Sequence, residues 1–431
     1  MELSPYILRK KVENGELYFN SKNNHSFFMT NDLLKRIDEN KIKQQFNQYL
    51  KIHNYFKDSD EFENSILKIR QYEDKTLEFT ILVHGDCNFR CKYCYEKFEN
   101  ISMSKETEKR ILEFAKERLL EKRIENFHVA WFGGEPLLGF KTIKRLSVAF
   151  KSLSNEMNVK YSASITTNGY LLNERIFNQL VKEYDVRSFQ ITIDGEEENH
   201  NFQRALKNGS GSYQKIMKHL RKMVDSPLSF SCACRFNISQ ENIHSIKRFL
   251  DGDGKIFKND KRFKFYFYNV GNWGCGDRPK NYKVTLAHKD ASFELSKLAI
   301  SKGYNVPISR SVITNLFNCY ANRPNHYSFN VKGIIQSCTV ALYSRQNIFG
   351  TVHGKFNVQK FNEWRLTIDD ECQKCPVVLI CKSGYCPPAH RVNKNTRLCE
   401  QIKRKIDKNL ELFVLNKEYN DYLDVERKGV K

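Results

Sequence analysis

No stretch of the 431 residues approaches the roughly 20 consecutive apolar positions that a membrane-spanning helix requires. The opening residues, MELSPYILRKKVENGELYF, lack the basic-then-apolar profile of a secretory signal. Tandem repeats, low-complexity tracts and long linkers are also missing, and the whole chain holds only 9 prolines and 20 glycines. These absences exclude a helical membrane protein and a repeat array. They predict a soluble, cytoplasmic protein whose domains abut.

Cysteine and positive charge are what the chain has. Thirteen cysteines without an export signal argue against a disulfide framework, because a reducing compartment keeps thiols free for metal binding or chemistry. The net charge of +21 would suit a polyanion, a membrane surface or an acidic peptide. The lysines are spread along the whole chain, which argues against the clustered footprint of specific nucleic-acid binding. At 40% hydrophobic, the chain can bury a full core, and its length predicts two or three domains.

Residues 1–75 read as a small β-then-α module. YILRKKVENGELYFNSKNNHSFFMTN suggests paired strands around the turn-forming ENG and KNN, and DLLKRIDENKIKQQFNQYLKIH follows as one helix that TND can cap. From Leu77 the rhythm changes. LEFTILVHG, FHVAWFGG, YSASITTNG, RSFQITIDG, SFSCACRFN and RFKFYFYNVG alternate with helical stretches as six strand-helix units. They predict an α/β fold, a partial (β/α)6 TIM-like barrel over residues 76–305, with its chemistry at the C-terminal strand ends. Over residues 306–431 the alternation fades and the cysteines return, before a C-terminal helix.

CNFRCKYC, residues 87–94, has the spacing C-x3-C-x2-C directly after the first strand. Zinc sites usually close with four ligands, and a fourth is missing from this loop. Three thiolates in one polar turn instead suit a [4Fe-4S] cluster with one iron left open.

This loop, at the head of six β/α units, resembles the radical S-adenosylmethionine (SAM) enzymes over roughly Leu77 to Gly303. The resemblance implies that Cys87, Cys91 and Cys94 hold three irons while SAM chelates the fourth. An electron from the cluster would then release a 5′-deoxyadenosyl radical. Gly133, Gly134 and Glu135, in WFGGEP, match the segment that receives the SAM amino group; a Gly-Gly turn before a helix opened by Pro136 would also explain them. TTNGY and ITIDG end later strands at family positions, with Thr192 where relatives contact the ribose and Tyr93 where they keep an aromatic near the adenine. Arg204 and Arg235 are candidates for the SAM carboxylate or the substrate, with sheet-end ion pairs as the alternative.

The second array is C-x13-G-x4-C from Cys319 through Gly333 to Cys338, then C-x2-C-x5-C-x4-C-x12-C from Cys372 to Cys399. It resembles the SPASM domain, a cysteine-rich extension carrying two auxiliary [4Fe-4S] clusters, over about residues 310–405. It departs from that pattern where CKSGYC stands in place of the usual C-x3-C. The resemblance implies one cluster on Cys372, Cys375, Cys381 and Cys399, and another on Cys319, Cys338 and Cys386. The second has a fourth site that is open or filled from outside, for which Cys275 is the candidate. Cys232 and Cys234 lie two apart on a strand and so share one face, suiting core packing. The eleven histidines form no ligand-spaced cluster, and His84 and His200 receive no role.

Members with this layout generally act on peptides or proteins. The resemblance implies a maturase of a ribosomally made peptide that installs a thioether between a cysteine and a carbon, or a C–C link. An anaerobic sulfatase maturase forming formylglycine is the second reading, and an iron-sulfur redox or nucleic-acid-binding protein the third. Residues 1–75 loosely resemble the small domains that grip leader peptides by strand addition, against a plain structural extension. The implied partners are a precursor peptide with its leader and a flavodoxin or ferredoxin-type reductant, with no membrane partner.

Overall fold

A computed structural model describes residues 2–271, 285–308, 319–382, 386–392 and 399–424. Strands β1 (Ile7–Val12), β2 (Gly15–Asn20) and β3 (His25–Thr30) form an antiparallel meander. Its second turn carries Asn24 at φ 61°, a left-handed conformation that asparagine tolerates well. Thr30 caps α1 (Asn31–Arg36) by accepting from the Leu33 amide. The expected single helix is in fact two, since α2 begins anew at Asn40 and runs to Ile52. The reason is geometric. At about 100° per residue, Leu33, Leu34 and Ile37 would face away from Phe46, Tyr49 and Leu50 on a continuous helix; the break at residues 37–39 lets both sets pack on the same apolar cluster. Helix α3 (Glu61–Asp74) then leads into the barrel.

The expected six strands are all present: β4 (Thr76–Leu82), β5 (Asn126–Phe132), β6 (Lys160–Thr167), β7 (Val186–Thr192), β8 (Ser231–Ile238) and β9 (Phe263–Asn269). They pair in parallel in chain order. Between them and after β9 lie α4 (Lys105–Glu121), α5 (Phe140–Glu156), α6 (Glu174–Lys182), α7 (Glu197–Gln203), α8 (Tyr213–Val224), α9 (Ile243–Asp251) and α10 (Ala291–Ser301). Alternate residues of β5 and β8 are buried. Phe127, Val129, Trp131, Cys232, Cys234 and Phe236 form the buried set, with Cys232 and Cys234 in the core as expected. The other face is partly open and more polar, with His128 hydrogen-bonded to Ser162 and Ser164 at 2.9 Å each.

The sheet does not stop at six strands. Strands β10 (His326–Phe329), β11 (Ile334–Gln336) and β12 (Gly350–Thr351), from the cysteine-rich region, extend it beyond β4, and β10 runs parallel to that strand. The result is an open nine-stranded sheet. Arg323 pairs with Glu78 at 2.5 Å, and Phe329 packs against Phe79 with ring centroids 4.9 Å apart. Gly333 explains the glycine in C-x13-G-x4-C: its φ is 73°, and an added Cβ would lie 2.5 Å from Val352 Cγ2. Gly333→Ala is expected to destabilise by about 1–3 kcal/mol, read as a lower melting temperature, with cluster content retained.

Short helices α11 (Val358–Trp364), α12 (Asp370–Gln373), α13 (Val378–Cys381) and α14 (Pro387–Arg391) precede the long α15 (Cys399–Leu415). The chain then returns to the N-terminal module, where β13 (Asp421–Leu423) pairs in parallel with β3. No helix among the described residues is long and apolar enough to cross a membrane.

Candidate active site

The loop after β4 is held in place from several sides. Its residues 88–92 lie along residues 203–207, through Arg90 N to Ala205 O (2.9 Å), Lys92 N to Gln203 O (3.0 Å) and Lys207 N to Asn88 O (2.8 Å). Asp86 Oδ1 accepts from the Cys87 amide at 2.8 Å, and Arg90 donates to the Cys87 and Phe89 carbonyls at 2.6 and 2.7 Å. Phe89, 1% exposed, anchors the turn in the core. Cys87, Cys91 and Cys94 therefore sit in a fixed polar loop at the C-terminal end of the sheet. Burial pushes all three thiols up, so their thiolates need a cation beside them.

The GGEP segment packs directly onto this loop. An added Cβ on Gly134 would lie 2.5 Å from the Asp86 carbonyl, and the Glu135 amide donates to that same oxygen at 3.1 Å. Glycine is needed for this approach. Glu135 is fully buried and caps the 3-10 turn Pro136–Gly139 by accepting from Leu137 N at 3.0 Å, so the turn reading of this segment is present. It also accepts from Thr167 Oγ1 (2.7 Å) and Asn168 N (2.8 Å). Three of about four lone-pair positions are used, which leaves one for another donor. Burial pushes this carboxyl up against those three hydrogen bonds.

Tyr93 is tied to the far side of the sheet. Its hydroxyl donates to Asp194, accepts from Arg204 and accepts from Asn237 Nδ2 at 3.0 Å. Arg204 and Asp194 are 3.8 Å apart, with side chains 7% and 0% exposed. Thr192, the last residue of β7, is the register partner of Arg235 within β8; Arg235 bonds Asn237 at 2.8 Å and lies over Tyr268 at 4.4 Å. Sequence reasoning assigned nothing to Asn168, Asp194 or Asn237, although TTNG and ITIDG point to the first two. It also passed over Glu96, which burial and facing Glu135 push up to about 7.

These residues fit an iron-sulfur cluster better than a single metal ion. One zinc at about 2.3 Å from each sulfur would draw three thiols to within about 4 Å of one another. No three of the described thiols lie within 4.8 Å of one another. Asn88 Nδ2 and Arg204 Nε, both buried without a hydrogen-bond partner, add donors beside the loop for an acidic cofactor.

The second array divides spatially. Burial, and then Cys386 for Cys319 and Cys319 for Cys338, push those two thiols to about 11 and about 12, so the three face one another. This group adjoins the first loop, where Lys97 N donates to Tyr343 at 2.6 Å and the Tyr95 phenol lies near Cys338. Cys372 and Cys375 pack instead with Tyr6, Val378 and Leu379, and Lys403 faces both Cys375 and Cys399. The described cysteines form no disulfide. Cys275 lies outside the described residues. His84 accepts from Asp86 N at 3.0 Å, and the buried His200 bonds Ser212 at 3.1 Å. The expectation that no histidines cluster is corrected: His25 and His53 meet Asp421 with ligand atoms within 4.8 Å of one another. They come from three distant segments, so spacing could not reveal them.

The Radical SAM superfamily matches residues 81–251. The radical SAM cyclopropyl synthase TigE of Paramaledivibacter caminithermalis is 26% identical over 188 residues, which is 38% of this chain and 38% of that enzyme. A cysteine-type anaerobic sulfatase-maturating enzyme of Clostridium novyi is 23% identical over 76% of this chain and 93% of its own length. The solved structure of Streptococcus suis SuiB bound to precursor peptide SuiA superposes with a TM-score of 0.51 and 13% identity, covering 92% of this chain and 97% of that one. That coverage leaves fewer residues unmatched than the 75 of the N-terminal module, so the likeness in fold reaches into it.

Proposed function

As an enzyme with a radical SAM domain, this chain is, we propose, a maturase that oxidatively modifies a ribosomally made peptide, with a cysteine thioether to carbon as the product. Enzymes of this superfamily use SAM and a [4Fe-4S] cluster, which together supply a carbon-centred radical able to take hydrogen from an unactivated carbon. Cys87, Cys91 and Cys94 would hold the cluster, Glu135 would accept from the SAM amino group, Thr192 would lie along the ribose, and Arg235 would meet the SAM carboxylate or the substrate. Tyr93, fixed by Asp194, Arg204 and Asn237, positions the loop. Cys372, Cys375, Cys381 and Cys399 would bind one auxiliary cluster, and Cys319, Cys338 and Cys386 another. A flavodoxin or ferredoxin-type protein would deliver electrons in an anaerobic cytoplasm.

The observation that carries the peptide reading is the N-terminal sheet. The SuiB structure solved with its precursor peptide SuiA is similar in fold to this chain into that module. The outer edge of β3 is taken by β13, so an extended leader would add along β1, the other end strand. Similarity to sulfatase-maturating enzymes supports formylglycine formation as the second reading.

Mass spectrometry of the cluster-loaded, reduced enzyme with SAM and a cysteine-containing peptide encoded beside its gene tests the proposal. A peptide lighter by two hydrogens, with stoichiometric 5′-deoxyadenosine, is expected. SAM cleavage with only a sulfatase-derived peptide modified favours the second reading instead. Cys381→Ala is expected to leave SAM cleavage measurable while abolishing peptide modification; equal loss of both would assign the tail to folding alone.

A further inference from the structure

The N-terminal module contains a constellation that the chemistry above does not use. His25 opens β3, His53 follows α2, and Asp421 opens β13, so three separate segments meet at one point. His25 Nε2 lies 3.1 Å from Asp421 Oδ2, and the His25 and His53 rings stack with centroids 3.9 Å apart and planes 15° from parallel. One ligand atom from each residue lies within 4.8 Å of both others.

We propose that His25, His53 and Asp421 bind one zinc ion that fastens the C-terminal strand β13 to the N-terminal sheet. Two imidazoles and a carboxylate are a common zinc donor set, with water completing the tetrahedron. At zinc-ligand distances of about 2.0–2.2 Å, tetrahedral donors stand about 3.3–3.5 Å apart. The His25–Asp421 separation is already that short, whereas the His53 ring, stacked on His25, must turn out of the stack so that its in-plane lone pair reaches the ion. Where the hydrogen bond now joins His25 to Asp421, the ion would take the place of the proton.

The surroundings are those of a ligand site rather than of a casual ion pair. Tyr55 bonds the other nitrogen of His25 at 3.2 Å, fixing the ring, and Tyr49 donates to Asp421 Oδ2 at 2.7 Å. Such outer partners orient metal ligands and set their basicity. His53 meanwhile donates and accepts through its backbone, with Tyr49 O, Asn20 and Asn23, and its ring makes no hydrogen bond among the described residues. Asp421 pairs with Phe27 across β3 and β13, so an ion on its carboxylate acts directly on that pairing.

The test uses the full-length, cluster-loaded protein, stripped of loosely held metal by chelator and titrated with zinc alone under anaerobic conditions. One equivalent is expected to bind. X-ray absorption at the zinc edge, which iron does not obscure, should show only nitrogen and oxygen near 2.0–2.1 Å. His53→Phe, which keeps a stacking ring, and Asp421→Asn, which keeps the shape, should each weaken binding at least tenfold with iron content unchanged. Zinc should also slow amide exchange in residues 419–424 of the unaltered protein and not of either variant. A sulfur shell near 2.3 Å, absence of bound zinc, or full binding by both variants overturns the proposal. If one variant loses its iron, the other decides.

Discussion

Cys91→Ala is expected to reduce SAM cleavage by about four orders of magnitude or more, the scale on which losing one member of a catalytic unit acts. The thiol is 9% exposed in a loop whose backbone is zipped to residues 203–207, so no neighbouring residue can swing in to replace it. Deleting one sulfur leaves only a small cavity, costing on the order of 1 kcal/mol. Activity and stability should therefore separate: 5′-deoxyadenosine falls to background while the melting temperature barely moves. Cys232→Ala is the control, because that thiol is just as buried but lies in the helix-facing core of β8. It should cost similar stability and leave SAM cleavage intact. If both variants lose cleavage equally, cysteine burial rather than ligation explains the loop.

Asp194→Ala should be among the most damaging substitutions to the fold itself. It removes the carboxylate that accepts from the Tyr93 hydroxyl and from Asn237 N, and that faces the Arg204 guanidinium. Arg204 would remain charged with its side chain 7% exposed. An uncompensated buried charge of this kind costs about 3–5 kcal/mol. Thermal melts of the cluster-free and cluster-loaded forms would read this directly, and Asp194→Asn should fall less far because it keeps the shape and some hydrogen bonds. Adding Arg204→Met to Asp194→Ala should recover part of the loss, since the two effects are coupled rather than additive. An Asp194→Ala protein melting like the parent would mean that Arg204 finds water or another partner.

Much of the barrel could be read from the sequence because each unit announces itself locally. Period-two strands such as FHVAWF alternate with amphipathic helices, and the three cysteines and two glycines lie within short stretches whose chemistry depends on spacing. What escaped was non-local. HYSF alternates polar and apolar residues, but over only four positions, too short a run to stand out from the surrounding loops; β10 exists because Phe79, Phe114 and Glu78 await it. The network around Tyr93 joins residues as much as 144 positions apart. The break between α1 and α2 likewise follows from the shape of the cluster beneath them, which a helical wheel of the isolated segment does not contain.

The pairing of β13 with β3 also bears on how the protein is made. A ribosome releases β1, β2 and β3 first, yet the strand that completes their sheet emerges only after the whole barrel. At typical synthesis rates that delay is roughly 20 to 80 s. For that time the nascent chain carries a three-stranded sheet with the outer edge of β3 unpaired, the kind of edge on which other chains can template. A sheet begun before the barrel is thus finished only after it, and until then the newborn chain is open to aggregation and to chaperone capture along β3.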